Sequence, residues 1–498
     1  MCGIVAAHGV TDRAALERML ARLEHRGPDD EGSVAVNGSW LGHRRLSIVD
    51  VGGGAQPLGH PGGVLFLVGN GEVYNHEEVR ARLGDRGFLT SSDNEVALHL
   101  LDERGPEALA ELNGMFAFVA AGRDGRFVAA RDPVGIKPLY WARRGDEVLF
   151  ASEMHVFDES WQPDVEPFPP GCAWTPEGGL VRFARALRRD LAEPPPETWV
   201  GGTREVLVDS VRRQLMGDVP VGVFLSGGLD SSLVAAIAAR ELAARGGRLR
   251  TFAVGTPGSP DLAAARQVAE HLSTEHHETT YTPEEALRAL PGVVRSIESF
   301  DPGLVRSAVP NHMLARATVR HVKVVLTGEG ADELFAGYDY MRDFSDPGRL
   351  HAELERTVCS LHNLNLQRCD RVTMAHGLEA RVPFLDREVI DWAMSLPAEV
   401  KVAGPGTPEK RLLREAFRGW LPDEVLWRDK AEFGDGSGAR DAISAAVEAA
   451  IGDEEFDAER AAVDPPLRTK EELAYFRIFR AHLPAVRPEV AISRFARA

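Results

Sequence analysis

Two places in this chain combine residue type and spacing in a way that could do chemistry: Cys2, and the segment Ser226-Gly227-Gly228-Leu229-Asp230-Ser231-Ser232. Removal of Met1 leaves Cys2 with a thiol and a free α-amine on one residue. A thiolate is a strong nucleophile, and an adjacent amine can act as its base. That pair is the minimal equipment of an N-terminal-nucleophile hydrolase. Gly3-Ile4-Val5 is small and then β-branched, so a strand should start at the nucleophile. A second-position cysteine is often incidental, so its weight comes from its company.

The Ser/Gly segment follows an apolar run and opens an Ala/Leu-rich one. Glycines let the backbone approach phosphates, and free N–H groups at a helix start bind anions. Phe224, Ser226, Gly227, Gly228, Leu229, Asp230 and Ser231 are therefore candidate ATP contacts. Asp230 would repel phosphate by itself and makes sense as a Mg2+ ligand. No Lys follows the final Gly as it does in the Walker pattern. A loop that grips pyrophosphate without that Lys suggests cleavage to AMP and pyrophosphate. A second loop, Leu326-Thr327-Gly328-Glu329-Gly330-Ala331-Asp332-Glu333, also sits between an apolar run and a helical one. Thr327 and Gly328 extend the nucleotide set, Asp332 could join Asp230 on the metal, and Glu329 could act as a base or orient an attacking amine. The ordinary duty of such acids is helix capping and dipole compensation.

These groups need elements to position them. After Glu193-Pro194-Pro195-Pro196-Glu197 the expected elements are a helix over Thr203–Met216, a buried strand over Val219–Leu225, a helix over Ser231–Ala244, and buried strands over Leu249–Val254 and Val322–Leu326. Strands alternating with helices imply a doubly wound parallel sheet, with both loops at its carboxyl edge. Beyond Asp339 the chain reads as mostly helical, with a solvated Ala/Glu-rich helix around 445–460. Before the proline-rich connector, short β-like runs (Val34–Val36, Gly63–Val68, Phe116–Ala120) alternate with Gly-rich turns and helical stretches near Arg13–Leu23, Glu77–Leu83 and Glu95–Arg104. Asp93 reads as the cap of the last. The expected domains are residues 1–192 and 203–498.

The 498 residues suffice for two or three domains, and 44% hydrophobic content can bury substantial cores. With 75 acidic against 57 basic residues the net charge is −18, and no basic stripe offers itself to nucleic acid. Cys2, Cys172, Cys359 and Cys369 show neither disulfide nor zinc spacing, which fits a cytoplasmic protein. Neither a membrane-length apolar run nor a signal peptide is present, so no membrane partner is expected.

Taken together, the motifs resemble the glutamine-dependent asparagine synthetases over nearly the whole length. Met1-Cys2-Gly3-Ile4, His25-Arg26-Gly27-Pro28-Asp29, Arg45-Leu46-Ser47-Ile48-Val49-Asp50, Asn70-Gly71-Glu72-Val73-Tyr74-Asn75 and Ser92-Asp93 match the glutaminase half. Arg131-Asp132-Pro133, Gly135-Ile136-Lys137-Pro138-Leu139-Tyr140, both acidic loops and Glu379-Ala380-Arg381-Val382-Pro383-Phe384-Leu385-Asp386 match further signatures in the same order.

The resemblance implies an αββα glutaminase sandwich followed by a PP-loop adenylating domain with extra helices. It implies that Cys2 attacks the glutamine amide, with Asn70 and the Gly71 N–H as oxyanion hole. Arg45 would hold the α-carboxylate, Ile48 and Val49 would line the pocket, and Glu72 and Asp93 would receive the α-ammonium. ATP with Mg2+ would adenylate a carboxylate, with Val254 against adenine and Lys410 near the phosphates. Ammonia would travel internally, since free ammonia is protonated and loses its lone pair. A homodimer is a further family expectation. One stretch departs from the pattern: Gly303-Leu304 stand where aspartate-using members carry two threonines, before the retained acceptor residue Arg306. Aspartate is therefore the leading acceptor, and another acid of specialised metabolism an alternative. An enzyme closing a β-lactam ring, a non-catalytic regulatory homologue and a plain glutaminase also compete. The complete Cys2 pocket speaks against the first, the undamaged motifs against the second, and the phosphate loop against the third.

Overall fold

The computed structural model describes residues 2–402, 408–428, 440–461 and 463–491; Met1 lies outside them. The first unit follows from period-2 alternation. Its strands are β1 (Gly3–His8), β2 (Asp30–Val36), β3 (Ser39–Arg45), β4 (Leu58–Gly59), β5 (Leu65–Val73), β6 (Gly114–Gly122), β7 (Phe127–Arg131), β8 (Tyr140–Arg144), β9 (Glu147–Ala151), β10 (Glu166–Pro167), β11 (Cys172–Thr175) and β12 (Gly179–Arg182). They form two antiparallel sheets of six, in the orders β10-β8-β9-β1-β3-β2 and β12-β11-β7-β6-β5-β4. Successive side chains leave opposite faces of a strand. In β1, Ile4 and Ala6 enter the core between the sheets, while Val5 and Ala7 join Leu16, Met19 and Leu20 of α1 (Arg13–Ala21). In β6, Ala117 and Val119 face the inter-sheet core, while Phe116 and Phe118 pack under α2 (His76–Leu83) and α3 (Glu95–Arg104). The result is the expected αββα sandwich.

Two local readings change. The run expected to end at Val68 continues to Val73, carrying Asn70-Gly71-Glu72 inside β5. Gly71 makes this work: at φ +147°, a Cβ there would lie 1.9 Å from the Met115 carbonyl oxygen of the neighbouring strand. Asp93 does not cap α3, because its carboxylate accepts the Val73 N–H at 2.6 Å instead.

The second unit opens with α4 (Trp199–Gln214), four residues earlier than expected. Its five strands, β13 (Val221–Phe224), β14 (Arg250–Gly255), β15 (Glu275–Thr280), β16 (Val324–Leu326) and β17 (Glu379–Arg381), are all parallel in the order β15-β14-β13-β16-β17. The chain reverses direction across the sheet between β13 and β16, and ligands bind at the carboxyl ends of strands at such a switch point. Crossovers are made by α5 (Leu229–Ala244), α6 (Pro260–Leu272), α7 (Pro283–Ile297), α8 (Pro302–Thr318) and α9 (Ala331–Leu334), followed by α10 (Pro347–Ser360) and α11 (Asn365–Met374). Residues Leu233–Ala238 of α5 are fully buried, which is why that helix is apolar on every side. Later helices include Arg387–Ser395, Arg440–Ala450, Asp453–Arg460, Lys470–His482 and Pro488–Ala491. No described helix is long and apolar enough to cross a membrane, and all four cysteines are free.

Candidate active site

The N-terminal strand places Cys2 at the buried end of β1, 7% exposed. Its backbone N–H donates to Asn70 Oδ1 at 3.0 Å, and its carbonyl accepts from Arg26 Nε at 3.0 Å. Burial pushes the thiol pKa up; the amino terminus, the Leu46 N–H and Arg45 act against it. Because Asn70 Oδ1 is committed to Cys2, its Nδ2 donor is left over, buried and without a hydrogen-bond partner. A buried amide donor beside a thiol is suited to a developing oxyanion.

Arg45 is buried, and its guanidinium donates to the carbonyls of Val49 (3.2 Å), Asp50 (2.7 Å) and Val51 (3.3 Å). It therefore shapes the loop that carries Ile48 and Val49. Ile48 is buried, and its carbonyl accepts the Asp218 N–H of the second unit at 2.9 Å. Across the pocket, burial together with Glu379 and Asp93 pushes the Glu72 carboxyl well up, and Glu72 Oε2 has no hydrogen-bond partner. Burial also raises Asp93, against the Val73 N–H. Buried acceptors of this kind suit an incoming ammonium.

Glu379 and Arg381, on β17 of the second unit, lie beside Glu72. Arg381 Nε donates to Glu379 Oε1 at 2.5 Å, its Nη1 donates to the Gln214 and Met216 carbonyls at 2.6 Å each, and its Nη2 lies 3.7 Å from Glu72. Burial opposes ionisation of Glu379, but the amino terminus and Arg381 overcome it and hold its pKa at about 2. The motif residue Arg26 is fully buried and bridges Glu153 (2.7 Å) and Asp370 of α11 (2.9 Å). Sequence reasoning singled out both motifs but assigned neither to the seam between the units; their partners lie hundreds of positions away, so no local pattern could show it.

At the switch point lies a cavity of about 630 Å³. Phe224, Ser226, Gly228, Leu229, Asp230, Ser231, Val254, Thr327, Gly328, Glu329, Asp332 and Lys410, all named from the sequence, line it. Gly227 does not: at φ +75° it packs on α6, where a Cβ would lie 2.6 Å from Ala264. Lys410 Nζ sits 2.5 Å from Asp230 Oδ2 and 2.7 Å from Asp332 Oδ1. Burial opposes its charge, yet the two carboxylates raise its pKa above the ordinary value. Two carboxylates from separate loops that already converge on one cation are hard oxygen donors, a set that fits Mg2+.

Glu329 is ion-paired with Arg368 of α11, a cavity residue that sequence reasoning missed. Gly303 and Leu304 line the cavity from α8, together with Ser307 and Asn311. Arg306 is not among the lining residues. Its Nε donates to the Pro302 carbonyl (3.2 Å) and its Nη1 lies 3.6 Å from Glu471 of the C-terminal region, so the helix turns it away from the face that carries Gly303 and Ser307.

A buried cysteine opening an αββα sandwich, packed on a parallel-sheet unit with a Ser/Gly loop at its switch point, defines an N-terminal-nucleophile amidotransferase fused to a PP-loop unit. Residues 1–168 match the family model described as glutamine amidotransferase domain, and residues 202–345 and 342–487 match that described as asparagine synthase. A probable glutamine-hydrolysing asparagine synthetase of Schizosaccharomyces pombe is 40% identical over 96% of this chain and 92% of its own. Glutamine-hydrolysing asparagine synthetases of Escherichia coli (synthetase B) and Asparagus officinalis are each 41% identical over 88% of this chain, covering 83% and 78% of theirs. The chain belongs to the glutamine-hydrolysing asparagine synthetase family.

Proposed function

We propose that this protein makes asparagine from aspartate, glutamine and ATP, with the catalytic units at residues 1–192 and 203–498. The supporting observation is the pairing of a buried Cys2–Asn70 couple with a nucleotide-sized cavity reached from the same helix, α11. Once Met1 is removed, the Cys2 amine takes the thiol proton and the sulfur attacks the glutamine side-chain carbonyl. Asn70 Nδ2 and the Gly71 N–H receive the oxyanion. Ammonia leaves, water cleaves the thioester, and glutamate is released. Arg45 and the Glu72–Asp93 pair orient the α-carboxylate and α-ammonium.

In the second unit, aspartate and ATP form β-aspartyl-AMP and pyrophosphate. Lys410 and the Ser226–Ser231 loop hold the phosphates, with Val254 against adenine and Thr327 and Gly328 beside the ribose-phosphate. Mg2+, held by Asp230 and Asp332, would offset charge on the departing pyrophosphate. Glu329 takes a proton from ammonia as its nitrogen attacks the acyl carbon, and asparagine and AMP result. Support for an internal ammonia route comes from the apolar cluster of Leu46, Ile48, Val324 and Met374, which spans the seam, while Cys369, Val372 and Thr373 of α11 line the cavity. Four free cysteines support a cytoplasmic setting.

A second reading, the same chemistry on a different acid, is favoured by Gly303 and Leu304 in the cavity wall and by Arg306 facing Glu471. The test is one assay with protein, MgATP, glutamine and a panel of acids including aspartate, reading glutamate, AMP, pyrophosphate and amide. Asparagine formed with AMP supports the first reading. Amide from another acid alone supports the second, and ADP in place of AMP overturns both.

A further inference from the structure

Among the described residues, the three-residue cluster His155, Glu298 and His482 brings one donor atom from each to within 4.8 Å of the others, and neither reaction uses it. His155 belongs to the short turn Met154–Val156 of the first unit. Glu298 closes α7 in the left-handed region at φ +50°, and His482 ends the helix Lys470–His482. Three segments remote in sequence meet here at the seam.

The carboxylate of Glu298 is fully buried, and its two oxygens face different ways. Oε2 accepts from the Met154 N–H (2.8 Å) and Arg371 Nη2 (3.1 Å). Oε1 faces His155, 2.7 Å from its backbone N–H and 2.9 Å from Nδ1. Arg371 thus fixes the carboxylate and leaves Oε1 aimed at the histidines, as outer-shell partners of metal ligands do. The His155 and His482 rings lie 5.4 Å apart and 32° from parallel. Glu153 Oε2 lies 3.4 Å from His155 Nδ1 and 3.0 Å from His25 Nε2, while its Oε1 is paired with Arg26 (2.7 Å) and Arg371 (2.9 Å). The C-terminal end of a helix, where His482 sits, also favours a cation.

We propose that His155, His482 and Glu298 Oε1 form a binding site for a divalent cation of the Zn2+ class. Two imidazoles and one carboxylate are the donors that select zinc over Mg2+. Tetrahedral bonds of about 2.0–2.2 Å put ligand atoms roughly 3.3 Å apart. Part of the closure falls on His482, partly exposed on the last turn of its helix, while Glu298 stays in place. The ion replaces the proton between His155 Nδ1 and Glu298 Oε1, and that proton goes to solvent. Water completes the fourth position. The bound ion ties the C-terminal helix to the first unit, beside the Ala485 N–H to Gln162 Oε1 bond (3.1 Å) and the Arg487–Glu166 pair (3.0 Å).

The test uses full-length protein stripped with chelator and titrated with Zn2+ against a chromophoric competitor, alongside His155→Ala, His482→Ala and His312→Ala/His376→Ala. The last pair removes a neighbouring histidine couple that lies 3.3 Å apart. One equivalent is expected in wild type and in H312A/H376A. Affinity should fall at least roughly tenfold in each single variant, and a zinc-dependent rise in Tm should be lost with it. Metal-free Tm checks folding, and His482→Ala, at a helix end, carries the test if His155→Ala fails to fold. No tight equivalent in wild type, or equal affinity in the His482 variant, overturns the proposal.

Discussion

The Cys2 N–H points at Asn70 Oδ1 across 3.0 Å, and that one bond settles which way the Asn70 amide faces. Its Nδ2, buried and without a hydrogen-bond partner among the described residues, is the donor that the proposed mechanism offers to the oxyanion. Asn70→Ala should cut glutaminase kcat by about 10²–10³-fold, the usual loss for one oxyanion-hole donor. Ammonia-dependent asparagine synthesis should persist. A fall in glutamine affinity with kcat intact would show that Asn70 binds substrate rather than the transition state.

Cys2→Ala should abolish glutamate release from glutamine and leave synthesis from added ammonium at about the wild-type rate. Every residue that lines the large cavity belongs to the second unit, and Cys2 is not among them. Loss of both activities would mean that the units do not act separately.

Gly337 has no motif around it, yet a Cβ there would sit 2.0 Å from Asp332 Oδ1 and 2.2 Å from Lys410 Cε. Gly337→Ala should push apart the Asp230–Lys410–Asp332 contact. AMP and pyrophosphate formation should fall at least roughly tenfold while the glutaminase stays intact, since a misplaced group of this kind costs up to about 10²-fold. An unchanged KM for ATP with unchanged turnover would remove Gly337 from the site.

Arg381 belongs to the second unit but holds Glu379 and reaches toward Glu72, which the proposed function places against the glutamine α-ammonium. Glu379→Gln should raise KM for glutamine more than it lowers kcat. Steady-state glutaminase kinetics, with ammonia-dependent synthesis as control, separate the two; a pure kcat effect would contradict a role in glutamine binding.

Lys401 is fully buried, its Nζ has no hydrogen-bond partner among the described residues, and burial lowers its pKa from 10.5 to about 7. Between those values the unfolded chain is protonated and the folded one is not, so stability rises with pH across the window. Lys401→Met should therefore be the more stable protein at pH 7, by up to about 4 kcal/mol, and its margin should close as the pH passes about 10.5. Urea unfolding at pH 7, 8.5 and 10 reads this directly; a margin independent of pH would point to packing instead.

Much of the chemistry was legible in the chain because it is local. Cys2 before a strand, Ser226–Ser231 between strand and helix, and Gly328–Asp332 after β16 each carry their geometry within a few residues, where periodicity and turn chemistry act. Polar Asn70-Gly71-Glu72 hid a strand, because only the neighbouring Met115 carbonyl shows why Gly71 must lack a side chain. Helical phase decided Arg306: it stands three residues after Gly303, but its guanidinium lies toward Glu471 rather than in the cavity wall. The joining of the two sites came only with tertiary structure. Arg26 meets Asp370 across 344 positions, Arg381 crosses the seam to Glu72, and Arg368 takes Glu329. Local periodicity sets which face of an element is apolar. Which buried charges meet depends on how two complete units dock, where an ionised group is held only by a partner brought from far along the chain.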